Sequence, residues 1–329
     1  MKNTFRFLFY FALILSINTA VFGRSVIADY DGDGKSDYVT VRADGDKLIW
    51  WISYNAATAG GARGTSVPFG SAGDRLVPAD YDGDGKTDIA VWRPAQATFY
   101  IIQSKTNTNR IEKFGMDGDD PSTVADYDGD GKADLAVYRA GTKEKPQSHF
   151  YYRSSISKSD QTFSVIPWGI LGDIPSAADF DGDGKADILA RRNREKDQQP
   201  IWYVKQSKDG DVVHQWALSG DTNAIADYDG DGKADLAVMR STEAGAESKW
   251  IFYVQNSGNG QLVARYFGLA EVDLNVPGDY DGDGKADVAL WRKTDATYWV
   301  MSSNEKQDVS TFKWGNAADI PVSVPRYYK

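Results

Sequence analysis

Asp80-Tyr81-Asp82-Gly83-Asp84-Gly85-Lys86-Thr87-Asp88 is one of six copies of a nine-residue pattern, Asp-aromatic-Asp-Gly-Asp-Gly-Lys-x-Asp. The copies begin at Asp29, Asp80, Asp126, Asp179, Asp227 and Asp279, at steps of 46 to 53 residues. Recurrence at such a period marks a solenoid, a propeller or an array.

Positions 1, 3, 5 and 9 are carboxylates in every copy. They are Asp29, Asp31, Asp33 and Asp37; Asp80, Asp82, Asp84 and Asp88; Asp126, Asp128, Asp130 and Asp134. The later copies have Asp179, Asp181, Asp183 and Asp187; Asp227, Asp229, Asp231 and Asp235; Asp279, Asp281, Asp283 and Asp287. Four carboxylates in nine residues repel one another unless a cation lies between them. Oxygen donors without Cys or His suit a hard ion, and Ca²⁺ accepts six to eight oxygens in a flexible shell. Glycines at positions 4 and 6 let the backbone curl where a Cβ would resist. Position 7 (Lys35, Lys86, Lys132, Lys185, Lys233 and Lys285) is expected to offer its backbone carbonyl while its side chain points to water. Up to six Ca²⁺ ions are therefore expected. An EF-hand is excluded, because that loop needs a bidentate Glu at position 12. Position 12 here is Thr40, Val91, Val137, Ala190, Val238 or Leu290.

The segment after each loop reads as strand. Tyr38–Arg42, Ile89–Arg93, Leu135–Arg139, Ile188–Arg192, Leu236–Arg240 and Val288–Arg292 are short, rich in β-branched residues and end on Arg. A second strand bears an aromatic pair: Trp50-Trp51, Phe99-Tyr100, Phe150-Tyr151, Trp202-Tyr203, Phe252-Tyr253 or Tyr298-Trp299. A third strand closes on Phe-Gly or Trp-Gly in most repeats, and a Gly-Asp corner leads into a short strand before the next loop. Four short strands per period, with no helical periodicity, predict an all-β propeller of six four-stranded antiparallel blades, seven being the alternative. The tail from Asp319 to Lys329 mirrors the start of a repeat, and is expected to cross the seam beside a strand at Ser25–Tyr30.

The basic start Met1–Arg6, the apolar run Phe7–Ile17 and the Val21-Phe22-Gly23 end predict a signal peptide over residues 1–23, leaving 24–329 as one domain. The run is too short to span a bilayer. Export places the protein outside the cell, on its surface or in a periplasm. The chain has no Cys, so disulfides are excluded and Ca²⁺ becomes the expected stabiliser. Removing Lys2 and Arg6 leaves 35 basic residues against 47 acidic, a charge of −12 that six Ca²⁺ would offset. Nucleic-acid binding, which wants a basic face, is not supported.

The loop, the Phe-Gly before it and the strand after it resemble the FG-GAP/VCBS repeat, which builds integrin α heads and many secreted bacterial propellers. The resemblance covers nearly all of residues 24–329. It implies the propeller fold and the calcium role of Asp29, Asp31, Asp33, Asp37 and their equivalents. It implies no ligand site.

Little else carries chemistry. His149 and His214 lie in different repeats with no acid, base and orienting group beside them, and read as ordinary strand residues. The recurrent Arg is expected to pair with the corner carboxylates Asp74, Asp120, Asp173, Asp221 and Asp319, holding each blade together. The aromatic pairs are expected to pack blade on blade. Tyr54 and Trp216, which break the repeat, are candidates for stacking on sugars. The expectation is a monomeric binding or adhesion module for a glycan or protein, not an enzyme. The alternatives are a polysaccharide lyase and a scaffold of a surface assembly.

Overall fold

The computed structural model describes residues 27–55, 64–157, 161–195, 198–242, 248–304 and 306–322. The expected signal peptide lies outside these residues, as do Ser25, Val26 and residues 323–329 of the expected pairing between the tail and Ser25–Tyr30; residues 27–30 are turn and bend, not strand. The first blade contains β1 (Tyr38–Asp44), β2 (Lys47–Ser53) and β3 (Gly64–Ser71). The second is β4 (Arg75–Leu76), β5 (Ile89–Arg93), β6 (Thr98–Gln103) and β7 (Thr108–Lys113). The third holds β8 (Leu135–Arg139), β9 (Gln147–Arg153) and β10 (Ser164–Ile170). The fourth is β11 (Ile174–Ala178), β12 (Asp187–Arg192), β13 (Ile201–Lys205) and β14 (Asp211–Gln215). The fifth is β15 (Thr222–Asn223), β16 (Leu236–Ser241), β17 (Lys249–Gln255) and β18 (Leu262–Leu269). The sixth is β19 (Asp273–Asn275), β20 (Val288–Arg292), β21 (Thr297–Met301) and β22 (Val309–Lys313). Each blade is an antiparallel sheet with its strands in chain order.

Two blades depart from the plain pattern. In the third, Pro121–Thr123 makes a 3₁₀ turn in place of the inner strand, and a single bridge from Asp120 to Tyr138 keeps the position. In the first blade, the missing inner strand comes from the other end of the chain. β23 (Ile320–Pro321) pairs with β1, Thr40 opposite Pro321 and Val41 opposite Ile320, and Val322 N–H donates to the Val39 carbonyl. The expected seam therefore exists at a different partner: the tail completes β1, not a strand at Ser25–Tyr30. Among the described residues, β8 has the Pro121–Thr123 turn at its inner side while β1 has no inner strand from its own repeat, and an unpaired edge is what a strand-forming tail satisfies.

The strand after each loop is buried on both faces, as in β5, where Ile89, Ala90, Val91 and Trp92 are all buried. A sheet with one wet face would alternate; these blades are covered on both sides by neighbours. Six apolar clusters each join one blade to the next. The first residue of each aromatic pair faces the following blade and is almost wholly buried: Trp50, Phe99, Phe150, Trp202, Phe252 and Tyr298. Its neighbour points to the other face. Tyr100, for example, packs in the cluster that holds Trp50 of the preceding blade. The ring closes where Tyr38 of the first blade stacks on Tyr280 and Phe312 of the sixth, with centroids 5.3 and 4.3 Å apart. That contact fixes the ring at six blades and leaves no space in the order for a seventh. Truncating one of the buried aromatics to Ala is expected to cost about 3–5 kcal/mol.

Candidate functional site

Every nine-residue loop leads into the strand that follows the inner edge of its blade. In the second loop, Asp80 Oδ1 accepts the Gly83 N–H at 2.6 Å and Oδ2 accepts that of Gly85 at 2.8 Å. The same two bonds recur from Asp29, Asp126, Asp179, Asp227 and Asp279. Both glycines have φ between +76° and +89° in all six loops, a region in which a Cβ is strained. Position 9 holds the loop's base: Asp88 accepts the Tyr81 N–H, and its own N–H donates to the Ala79 carbonyl. The position 2 tyrosines anchor the same strand from beneath, Tyr81 O–H donating to the Val77 carbonyl at 2.7 Å, and Tyr127, Tyr228 and Tyr280 doing likewise.

A second segment reaches each loop and was not anticipated from the sequence. The hairpin after the aromatic strand turns its backbone onto position 9: Asn55, Ser104, Ser155, Ser207, Ser257 and Ser303 donate their N–H groups to Asp37, Asp88, Asp134, Asp187, Asp235 and Asp287 at 2.6–2.8 Å. The Ser104 and Ser257 hydroxyls also bond to Asp84 and Asp231. The signal was present: each of these residues stands five places after the first aromatic of its pair.

The loops also touch one another. The position 8 N–H of each loop donates to the position 1 carbonyl of the loop before it. The bonds run from Thr87 to Asp29, Ala133 to Asp80, Ala186 to Asp126, Ala234 to Asp179, Ala286 to Asp227, and Ser36 back to Asp279, all at 2.6–2.7 Å. The position 7 lysines follow the same path. A Cβ on Gly83 would come within 2.9 Å of the Lys132 stem, and the other five lysines lie over the preceding loop in the same way. This corrects the expectation that these side chains simply point to water: the aliphatic stem packs over the preceding loop.

Each loop gathers carboxylate oxygens at one point. Atoms from Asp80, Asp82 and Asp88 lie within 4.8 Å of one another, as do those of Asp126, Asp128 and Asp134, of Asp179, Asp181 and Asp187, and of Asp227, Asp229 and Asp235. In the first loop the set is Asp29, Asp31 and Asp33. Burial, the largest influence, raises the position 9 carboxyls: Asp37, Asp134 and Asp287 to about 7 and Asp88 to about 6, with Asp187 and Asp235 also raised. Backbone donors pull them down, and neighbouring carboxylates push them up again. Burial likewise raises Asp29, Asp80, Asp126 and Asp279. Asp82 Oδ1 is buried with no hydrogen-bond partner inside its cluster. A hard divalent cation among these oxygens would satisfy that atom and offset the repulsion, so the donor set fits metal binding.

The recurrent arginines make forked ion pairs. Arg93 holds Asp74 through Nε at 2.8 Å and Nη2 at 2.9 Å. Arg192 holds Asp173, Arg240 holds Asp221, Arg292 holds Asp273 and Arg42 holds Asp319 in the same way. Two details differ from expectation. Arg139 takes Asp119, not Asp120, because Asp119 is the residue that follows Gly118 and stands two before Pro121, as Asp173 follows Gly172 before Pro175; Asp120 instead caps the 3₁₀ turn through the Ser122 N–H. Asp273 was missed because no Gly precedes it. The second aromatic of each pair covers the guanidinium at 4.4–5.7 Å, from Trp51 on Arg42 to Trp299 on Arg292.

The remaining candidates are not assembled into a site. His149 lies on β9 and His214 on β14, in different blades. Tyr54 packs on the first blade's core, and Trp216 lies 5.8 Å from Trp202 and accepts its indole N–H. Neither is a free stacking surface.

The FG-GAP-like repeat pattern matches residues 29–91, 80–137, 179–238 and 227–290, more than half of the chain. The chain belongs to the FG-GAP-like repeat family. The propeller with FG-GAP repeats marks it as a binding or scaffold module at the coarse level. No curated protein matches the chain. Among solved structures it is similar to a Bacteroides fragilis protein provisionally named a 6-phosphogluconolactonase, at 13% identity over 88% of this chain and 96% of that one, with a TM-score of 0.43. It is also similar to the Dos1 propeller, at 9% identity over 85% and 74%, with a TM-score of 0.39. The expectation that the chain is not an enzyme is withdrawn, since that neighbour bears an enzyme's name. At this identity it assigns no activity here. No described helix is long and apolar enough to cross a membrane.

Proposed function

We propose that this FG-GAP protein is an exported, calcium-stabilised propeller that binds a glycan or protein ligand. The observation that carries the reading is the clustering of carboxylate oxygens in the loops, with Asp82 Oδ1 buried and unpaired among them. In each loop the carboxylates at positions 1, 3, 5 and 9 and the position 7 carbonyl would hold the ion. In the second loop these are Asp80, Asp82, Asp84, Asp88 and Lys86. Bound Ca²⁺ would supply charge neutralisation. The chain's own part is to pre-form the loop through the Gly83 and Gly85 N–H bonds and to brace it from the Ser104 hairpin.

Extracellular fluid is rich in Ca²⁺ and the chain is free of Cys, so an ion can do for this domain what disulfides do for other exported ones. Metal analysis of the purified protein tests the calcium reading: Asp82→Ala should carry one ion fewer than wild type. A protein that retains no Ca²⁺ after desalting from millimolar Ca²⁺, and whose melting ignores the ion, would refute it. A glycan and protein ligand screen with and without Ca²⁺ tests the binding role.

A further inference from the structure

The cleft between the second and third blades departs from the repeat. It encloses about 460 Å³ and is lined by Lys105, Arg110, Lys132 and Arg153, with Asp82 and Glu112. Glu112 joins two guanidiniums: Arg110 Nε donates to Oε1 at 2.7 Å, and Arg153 Nη2 bonds to Oε2. Arg153 is only 5% exposed and lies over the Phe114 ring, so its position is fixed by packing.

Strand pairing shows how unusual this is. Arg110 and Glu112 stand opposite Ile101 and Phe99 on the fourth strand of their blade, and Arg153 stands opposite Leu135 on the third strand of the next. At the other five junctions the same three positions hold Thr65, Val67 and Ile102; Ser164, Ile166 and Lys205; Val212, His214 and Gln255; Val263, Arg265 and Met301; and Ser310, Phe312 and Ser53. None of those has more than one ionisable side chain. What all six blades share serves the ring; two arginines around one glutamate at a single junction do not follow from building it.

We infer that this cleft is a binding site for an anionic sugar, one carrying a carboxylate or a sulfate. This names the ligand class and place for the binding role above, and rests on that reading. Four cations face two acids, so the lining is short of negative charge although the chain as a whole is at −10. Guanidinium forks suit carboxylate and sulfate oxygens. Gln103 and Thr106 add an amide and a hydroxyl to the wall, groups that match sugar hydroxyls. Long polyanions such as nucleic acid are opposed by the acidic loops around the cleft, whereas a short acidic saccharide fits inside it.

Calorimetric titration in millimolar Ca²⁺ tests the inference, using a galacturonate hexamer, a carrageenan hexamer and maltohexaose as probes. At least one anionic hexamer should bind and maltohexaose should not. The two anionic arms separate carboxylate from sulfate recognition. The double variant Lys105→Gln/Arg110→Gln, altered at one exposed and one half-buried side chain, should bind at least tenfold more weakly while keeping a single cooperative melting transition. Arg153→Lys, which keeps the charge and loses the fork, should lie between. Binding of neither anionic hexamer, equal binding of maltohexaose, or anionic binding unaltered in the double variant would each overturn it. Capture of a neutral glycan or a protein in the wider screen would then keep the binding role and discard only this site. An empty screen would remove both.

Discussion

Aspartate is used in two opposite ways in the two repeated sets of this ring. In the clamps, a buried carboxylate such as that of Asp273 is held by both arms of Arg292, with Trp299 over the guanidinium. In the loops, carboxylates such as those of Asp80 and Asp88 meet backbone N–H groups and a serine, and crowd against other carboxylates. The side-chain bond to aspartate, the largest influence, raises the Arg292 guanidinium still further above its ordinary range. Burial raises Asp88 to about 6. The clamps carry their counter-charge in the sequence, whereas the loop carboxylates crowd against one another. On the calcium reading proposed above, stability is divided between a part that is always present and a part set by the medium.

Chelation should break that division most visibly. Each site filled at a hundredfold excess over its Kd contributes about 2.7 kcal/mol. EDTA should therefore lower the melting temperature by more than any clamp mutation, with Ca²⁺ restoring it and Mg²⁺ doing so poorly because it demands a smaller octahedral shell. Equal melting with and without EDTA would mean that the loops are as self-sufficient as the clamps.

Deleting residues 319–329 comes next. It removes the Asp319 partner of Arg42 and the strand that covers β1, exposing a ladder edge. Light scattering should show association, and the melting temperature should fall. A monomer that melts with the full chain would show that blade-on-blade packing closes the ring alone.

Arg292→Ala sharpens the contrast at a single clamp. It strands Asp273 in a buried position; loss of one partner of a buried pair costs about 3–5 kcal/mol, and the partial exposure of Arg292 puts the expectation near about 3. Arg292→Lys should recover part of this, lacking the fork. Urea unfolding should give the same loss with and without EDTA, since the clamp does not depend on the ion.

The smallest effect is in pH, and its sign differs between the two media. Asp37, Asp88, Asp134 and Asp287 titrate higher folded, at about 6–7, than the ordinary 3.8. Without Ca²⁺ the folded state then binds more protons across that window, so stability rises as pH falls from 7 toward 4. With saturating Ca²⁺ the proton competes with the ion, and stability should fall over the same range. Parallel melting curves from pH 7.5 to 5 would reveal the crossing; the same slope in both media would contradict it.

Most of the ring was legible from the sequence because one unit is written six times, and whatever recurs in register must serve the fold. The carboxylate positions, the glycines and the blade strands all follow from that. What escaped were contacts across the period. The Lys132 stem on Gly83 and the Ala133 bond to Asp80 join neighbouring repeats, which no single unit displays. The Ser104 hairpin was missed because attention to acidic residues hides a donor that works through its backbone. Asp119 in place of Asp120 turns on which of two adjacent acids follows the corner glycine, and the partner of the tail turns on which edge is left open.

The borrowed strand of the first blade sets an order of events in the life of the chain. Thr40 and Asp319, hydrogen-bonded in the finished ring, are 279 residues apart. β1, β2 and β3 come first in the chain, yet they lack their inner neighbour until Ile320–Pro321 has been made. Closing so long a loop adds little entropy over a shorter one, so the delay is one of synthesis, not of thermodynamic cost. Until then the first blade displays an open edge to every neighbouring chain, and the docking of Ile320–Pro321 is the moment at which it is shielded.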